Sequence, residues 1–115
     1  APHYLAVRDD QDRIQGLLPL IEMLSRLFGH FLVSMPFFNY GGLLANSIAA
    51  RDCLLEAAAA RARSLDVAHI EYRHCFDELP LPARSEKLAK LRSLPKSADH
   101  LWSDIGSKVR AQVNK

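Results

Sequence analysis

Read for its apolar and polar positions, the chain opens with a short strand over His3–Arg8. A polar turn at Asp9-Asp10-Gln11-Asp12 follows, then a second apolar strand over Arg13–Met23. Gly16 and Pro19 inside that second strand predict a bulge or an edge position, because proline donates nothing to a central ladder. Ser25–Gly29 is the next connection. His30 to Phe37 is rich in β-branched and aromatic residues and apolar on both faces, which predicts a strand covered on both sides. Pro36 ends its ladder. Asn39, Gly41 and Gly42 then supply residues that tolerate positive φ, so the backbone turns before a helix that begins near Ser47.

That helix is predicted over Ile48–Leu65, with Asn46 or Ser47 as cap. At 100° per residue Ile48, Leu54, Leu55, Ala58, Ala62 and Leu65 share one arc, and Asp52, Glu56 and Arg63 lie opposite. Arg51 points into the apolar arc, but from the first turn its long side chain reaches past the edge of the core. Ala57-Ala58-Ala59-Ala60 permits close approach to a sheet, and Asp66 ends the helix. Val67–Cys75 reads as a fourth strand with Ile70, Tyr72 and His74 on one face and His69, Glu71, Arg73 and Cys75 on the other. After the stiff Leu79-Pro80-Leu81-Pro82 connection, Lys87–Leu94 reads as a fifth strand. Its Lys90 and Arg92 suit an edge.

A last helix begins after Ser97, with an apolar stripe of Leu101, Trp102, Ile105, Val109 and Val113. Trp102 reads as a core anchor. Lys108, Arg110 and Lys115 flank the stripe, near the helix C-terminus. The resulting order, βββαββα, is an α/β (α+β layered) architecture with a mixed, largely antiparallel sheet. No internal repeat or linker divides it, so residues 1–115 read as one domain.

Several short words along this layout carry a family resemblance. They are Gly16-Leu17-Leu18-Pro19-Leu20, Arg26-Leu27-Phe28-Gly29, Leu32-Val33-Ser34-Met35-Pro36-Phe37, Asn39-Tyr40-Gly41-Gly42, Glu71-Tyr72-Arg73-His74, Leu101-Trp102 and Gly106-Ser107-Lys108-Val109-Arg110. In this order the chain resembles the FemAB-related branch of the GNAT N-acyltransferase superfamily, of the type encoded with PEP-CTERM/exosortase exopolysaccharide systems. The resemblance implies a GNAT-like lobe. A complete lobe has more strands than this chain offers, so the chain corresponds to the N-terminal part of a longer protein, with the remaining lobe as its partner. It also implies transfer of an acyl or aminoacyl group to an amine of a cell-envelope or exopolysaccharide-related substrate. Acyl-CoA or aminoacyl-tRNA would be the donor for the full-length protein, and no cofactor is expected in this chain. The Gln/Arg-x-x-Gly-x-Gly/Ala run that binds pyrophosphate in GNAT enzymes does not occur here.

Composition adds bounds of its own. The chain has 115 residues, 49% hydrophobic and 24% charged, as an ordinary single globular domain has. No run approaches the roughly 20 apolar residues that span a bilayer. Two cysteines, Cys53 and Cys75, form no disulfide framework, so a reduced, cytoplasmic setting is expected. The net charge of +2 conceals an asymmetry: residues 1–83 hold seven Lys/Arg against ten Asp/Glu, and residues 84–115 eight against three. The basic end suits an anionic small-molecule or envelope-precursor substrate.

Candidate chemistry narrows quickly. Asp9, Asp10 and Asp12 lack the spacing of a calcium loop, which Ile14 breaks. His74 and Cys75 are sequence neighbours on a strand, point to opposite faces and form no catalytic pair. No metal-ligand spacing occurs. The substrate-binding candidates are therefore Asn39, Tyr40, Gly41 and Gly42 in the loop, Arg73 and His74 on the fourth strand, and Lys108 and Arg110 near the end. No catalytic residue is assigned. A non-catalytic GNAT-like scaffold or interaction module remains the alternative, and an uncovered sheet edge would favour self-association into a homo-oligomer.

Overall fold

The computed structural model describes residues 1–75, 79–84 and 92–114. They fall into two compact units, Ala1–Pro80 and Leu81–Lys115. The first is a mixed α/β unit with a mostly antiparallel open sheet of β1 (Pro2–Arg8), β2 (Ile14–Ser25), β3 (Gly29–Val33), β4 (Leu44–Ala45) and β5 (Ile70–Glu71), together with helix α1 (Ile48–Leu65). The second contains α2 (Ala98–Asp104) and α3 (Ser107–Val113). The order of described elements, ββββαβαα, differs from the expected βββαββα in an added β4 and in the division of the last helix. Most of the expected fifth strand, residues 87–91 with Lys90, lies outside the described residues, as does Lys115. Arg92–Leu94 belong to no ladder.

The sheet runs β1-β2-β3-β5, with β4 also paired to β2. β2 is thus central, which corrects the edge reading of Gly16 and Pro19. The register explains how it carries a proline. Glu22 and Ala1 exchange both backbone hydrogen bonds, at 2.7 and 3.1 Å. In an antiparallel ladder such pairs alternate with non-bonded ones. Tyr4 and Pro19, an odd number of steps along, therefore form a non-bonded pair, and the missing N–H of Pro19 faces the other flank. On that flank β3 pairs with Ile21–Ser25 and β4 with Gly16 and Leu17, so Leu18, Pro19 and Leu20 have no partner there. The expected bulge is present: Val7 pairs with Gly16 and Arg8 with Ile14, leaving Gln15 as the extra residue.

β3 and β4 both run antiparallel to β2, so they are collinear pieces on one flank of it. β3 ends at Val33, earlier than the expected Phe37, because Met35 and Phe37 adopt left-handed φ values of 49° and 71° and take the chain out of the sheet. β5 lies parallel to β3, with Leu32 beside Ile70. Its ladder is far shorter than the expected Val67–Cys75, since its partner turns away after Val33.

α1 forms where the periodicity placed it. The Ser47 hydroxyl accepts from the Ala50 N–H at 3.1 Å. Asp66 closes the other end in the left-handed conformation, with its N–H and that of Val67 returned to Ala62 and Arg63 carbonyls. Ala50, Leu54 and Ala58 are buried, whereas Ile48, expected in the same arc, is 70% exposed at the first helical position. Leu18, Leu20, Leu32, Leu43, Leu54 and Ala58 form the core, flanked by Leu5, Val7, Ile70 and Tyr72. Each fully buried leucine contributes roughly 1.5–3 kcal/mol relative to exposure. The alternation of exposed and half-buried positions along β1 places Leu5 and Val7 with this core and Tyr4, 75% exposed, on the opposite face.

In the second unit the expected single helix is broken. Ile105 is extended at φ −77° and ψ 130°, and Gly106 caps α3 without a side-chain bond. Glycine's conformational freedom disfavours a continuous helix there. Trp102 is 39% exposed rather than a buried anchor.

Candidate functional site

Six of the eight sequence-selected residues meet at the end of β3 and β5. Beyond Glu71 the strand partner has left the sheet, and Ser34 takes over its role. The Ser34 N–H donates to the Glu71 carbonyl at 2.9 Å, and its hydroxyl accepts from the Arg73 N–H at 2.8 Å. Ser34 is completely buried. The loop that follows returns to the same place, where the Gly41 N–H donates to the Arg73 carbonyl at 2.9 Å. A 2.9 Å bond from Arg73 Nη1 to the Phe38 carbonyl ties the loop a second time.

The two glycines are required by close approach. Met35 occupies the space where a side chain at Gly41 would project, and His74 occupies that at Gly42. Asn39 and Tyr40 lie between, both exposed. Phe37 is held at φ 71° while 91% exposed. A bulky residue in that region costs on the order of 1–3 kcal/mol, and such strain concentrates at functional loops.

Arg73 Nε donates to Glu71 Oε1 at 2.9 Å, so the guanidinium is anchored by an acid and a carbonyl. Its side chain remains 32% exposed. His74 is half-buried and continues into a cavity of about 320 Å³ lined by Leu43, Leu44, Ile48, Arg51 and Leu79 beside the start of α1. The lining is mainly apolar, with Arg51 as its cation. Arg51 is itself paired with Asp52 at 2.7 Å. The arrangement suits a small, partly apolar molecule with an anionic end. Sequence reasoning passed over Ser34 and placed Arg51 at the edge of the core. The buried hydroxyl gives no signal until its strand partner is known.

Lys108 and Arg110 belong to the second unit. Arg110 lies in the last turn of α3, where its Nη1 donates to the Trp102 carbonyl at 3.2 Å. Lys108 is the second residue of α3, which corrects its expected place near a helix C-terminus: the helix dipole there disfavours a cation. Among the described residues no group of three or more His, Cys, Asp and Glu side chains is arranged to hold a metal ion, and no helix is long and apolar enough to cross a membrane. Asp9 is committed to its own turn. Its carboxylate accepts from the Gln11 and Arg13 N–H groups and from both the Arg13 and Gln15 side chains, and these bonds, Arg13 foremost, hold it below the ordinary carboxylate range. No family model, curated protein or solved structure matches this chain.

Proposed function

We propose that this chain is a substrate-binding lobe of an N-acyltransferase of the FemAB/GNAT kind. The parent protein moves an acyl or aminoacyl group from acyl-CoA or aminoacyl-tRNA to an amine of a cell-envelope or exopolysaccharide-related precursor, in the cytoplasm. The observation that carries this reading is the meeting of Asn39–Gly42 with Arg73 and His74 through the 2.9 Å Gly41–Arg73 bond, beside a mainly apolar cavity. Ligand sites of open α/β sheets favour the carboxyl ends of strands, where this loop lies. In this reading the cavity holds the apolar part of the substrate. The exposed edge of Arg73 meets its anionic part, because a planar fork grips phosphate or carboxylate in two bonds.

The test uses the full-length protein with acetyl-CoA or charged tRNA and an amine-bearing envelope precursor, with mass spectrometry reading the transfer. Arg73→Gln is expected to weaken precursor binding about tenfold or more, as loss of a charge-assisted contact does, without moving the melting temperature by more than a few degrees. Absence of transfer with either donor class overturns the enzyme reading. One observation favours a non-catalytic interaction module instead: Leu17 and Leu44, which are cross-strand partners, and Tyr4, two rungs away on the same face, are 43, 63 and 75% exposed. That reading expects no transfer with either donor and a partner bound through this surface.

A further inference from the structure

At the other end of β3 from the candidate site, side chains of four elements form one hydrogen-bonded row. Arg61 on α1 approaches His3 Nδ1 on β1 with Nε at 3.2 Å and Nη2 at 3.1 Å. His3 Nε2 lies 3.2 Å from Glu22 Oε2 on β2, and His30 Nε2 on β3 lies 2.8 Å from Glu22 Oε1. The side chains of His3, Glu22 and His30 are 11, 21 and 28% exposed.

Donor chemistry orders the row. A guanidinium has only N–H groups to offer, so His3 Nδ1 must accept and carries no proton. The His3 proton is therefore on Nε2 and donates to Glu22, whose second oxygen accepts from His30. The same ordering disfavours a metal on His3. A ligating histidine donates its other ring N–H to an acceptor, and here that nitrogen faces donors.

We propose that this row is a pH-sensitive latch between α1 and the sheet: Arg61 holds to β1 only while His3 is neutral, and lets go when His3 takes up a proton. Protonation puts a hydrogen on Nδ1, where two N–H groups already point, and sets an imidazolium against a guanidinium. On its other side, the imidazolium is attracted by Glu22. Proton uptake thus strengthens the β1–β2 half of the row and breaks the α1 half, so α1 loosens at its C-terminal turns while the sheet stays paired. The charged or titratable groups facing His3 are Glu22 from β2, His30 from β3, Arg61 from α1 and, 3.9 Å from Glu22 Oε2, the Ala1 amino group. The contact needs an unprotonated Nδ1, so proton uptake at His3 ends it.

Amide hydrogen exchange from about pH 8 to about pH 5.5, corrected for intrinsic rates, tests this. The amides of Arg61–Leu65 are expected to lose protection several-fold relative to those of Leu54–Ala58, and Arg61→Met is expected to remove that difference. The ¹⁵N shifts of His3 are expected to show the Nε2–H form at the upper pH. A protection ratio that does not change with pH, a change that persists in Arg61→Met, or a proton on Nδ1 would each overturn the latch.

Discussion

A β-carbon built on Gly42 would lie 2.8 Å from the α-carbon of His74. Backbone meets backbone there, so no side-chain rotation can make room. Gly42→Ala is therefore expected to push the loop off residues 73–74 and to cost about 1–3 kcal/mol, as overpacking does. A lowered urea midpoint, together with lost exchange protection at Gly41, checks it. An unchanged midpoint would show that the loop does not approach His74 so closely.

Ser34→Ala keeps the volume nearly constant and removes the acceptor for the Arg73 N–H. The expected loss is about 1–3 kcal/mol, the cost of a buried donor left without a partner. Denaturant unfolding measures it, and Ser34→Thr is expected to restore part of the loss by restoring the hydroxyl.

Leu54→Ala is expected to cost about 2–5 kcal/mol through the cavity it opens against Leu18 and Leu20, whereas Ile48→Ala, one helical face away and exposed, should stay near 0.5 kcal/mol. Equal losses at the two positions would contradict the packing of α1.

Glu22 gives an acid-side prediction. Hydrogen bonds from His30 and then His3 hold its carboxyl below the ordinary value of 4.5, against a smaller opposing effect of desolvation. A group depressed in the folded state stabilises above its unfolded value and loses that contribution as the pH falls through the folded one. The stability profile should therefore fall below about pH 4.5, and Glu22→Gln should flatten that part of the fall while lowering stability near neutrality.

Much of the first unit was legible in the chain because its signals are local. A 3.6-residue period, Ser47 and Asp66 are enough to bound α1, and the Asn39–Gly42 run marks a turn. The position of β2 was not legible. Whether a strand proline faces a neighbour or a gap depends on register, which only the Ala1–Glu22 pairing fixes. The division between α2 and α3 was missed for a different cause: Ile105 and Val109 keep the helical period across Gly106, so the stripe continues where the backbone does not. The site was half legible, since its loop and its Arg73-His74 dipeptide both stand out, yet Ser34, which joins them, is an unremarkable polar residue inside an apolar run. The Arg61–His3 contact crosses 58 residues and leaves no trace in sequence spacing.

Residues 34–43 interrupt what is otherwise a single strand along β2. Between Val33 opposite Ile21 and Leu44 opposite Leu17 only three rungs intervene, a span that three residues would bridge, but the chain spends ten. The candidate site is thus an excursion extruded from a β-meander, and Pro19, silent toward that flank, sits opposite its mouth. Scaffold and site are separable at the exposed tip of such a layout, not at its buried ends. Replacing the ten residues by three extended ones would leave the β1–β2 pairing and the helix cap in place, but would remove the buried Ser34 and Leu43 together with Asn39–Gly42. Conversely, the exposed tip of the excursion, residues 37–40, can change in length and sequence while the buried Ser34 and Leu43 hold its two ends to the rest of the unit, so new specificities can be grafted at that tip at little cost to the sheet's pairing.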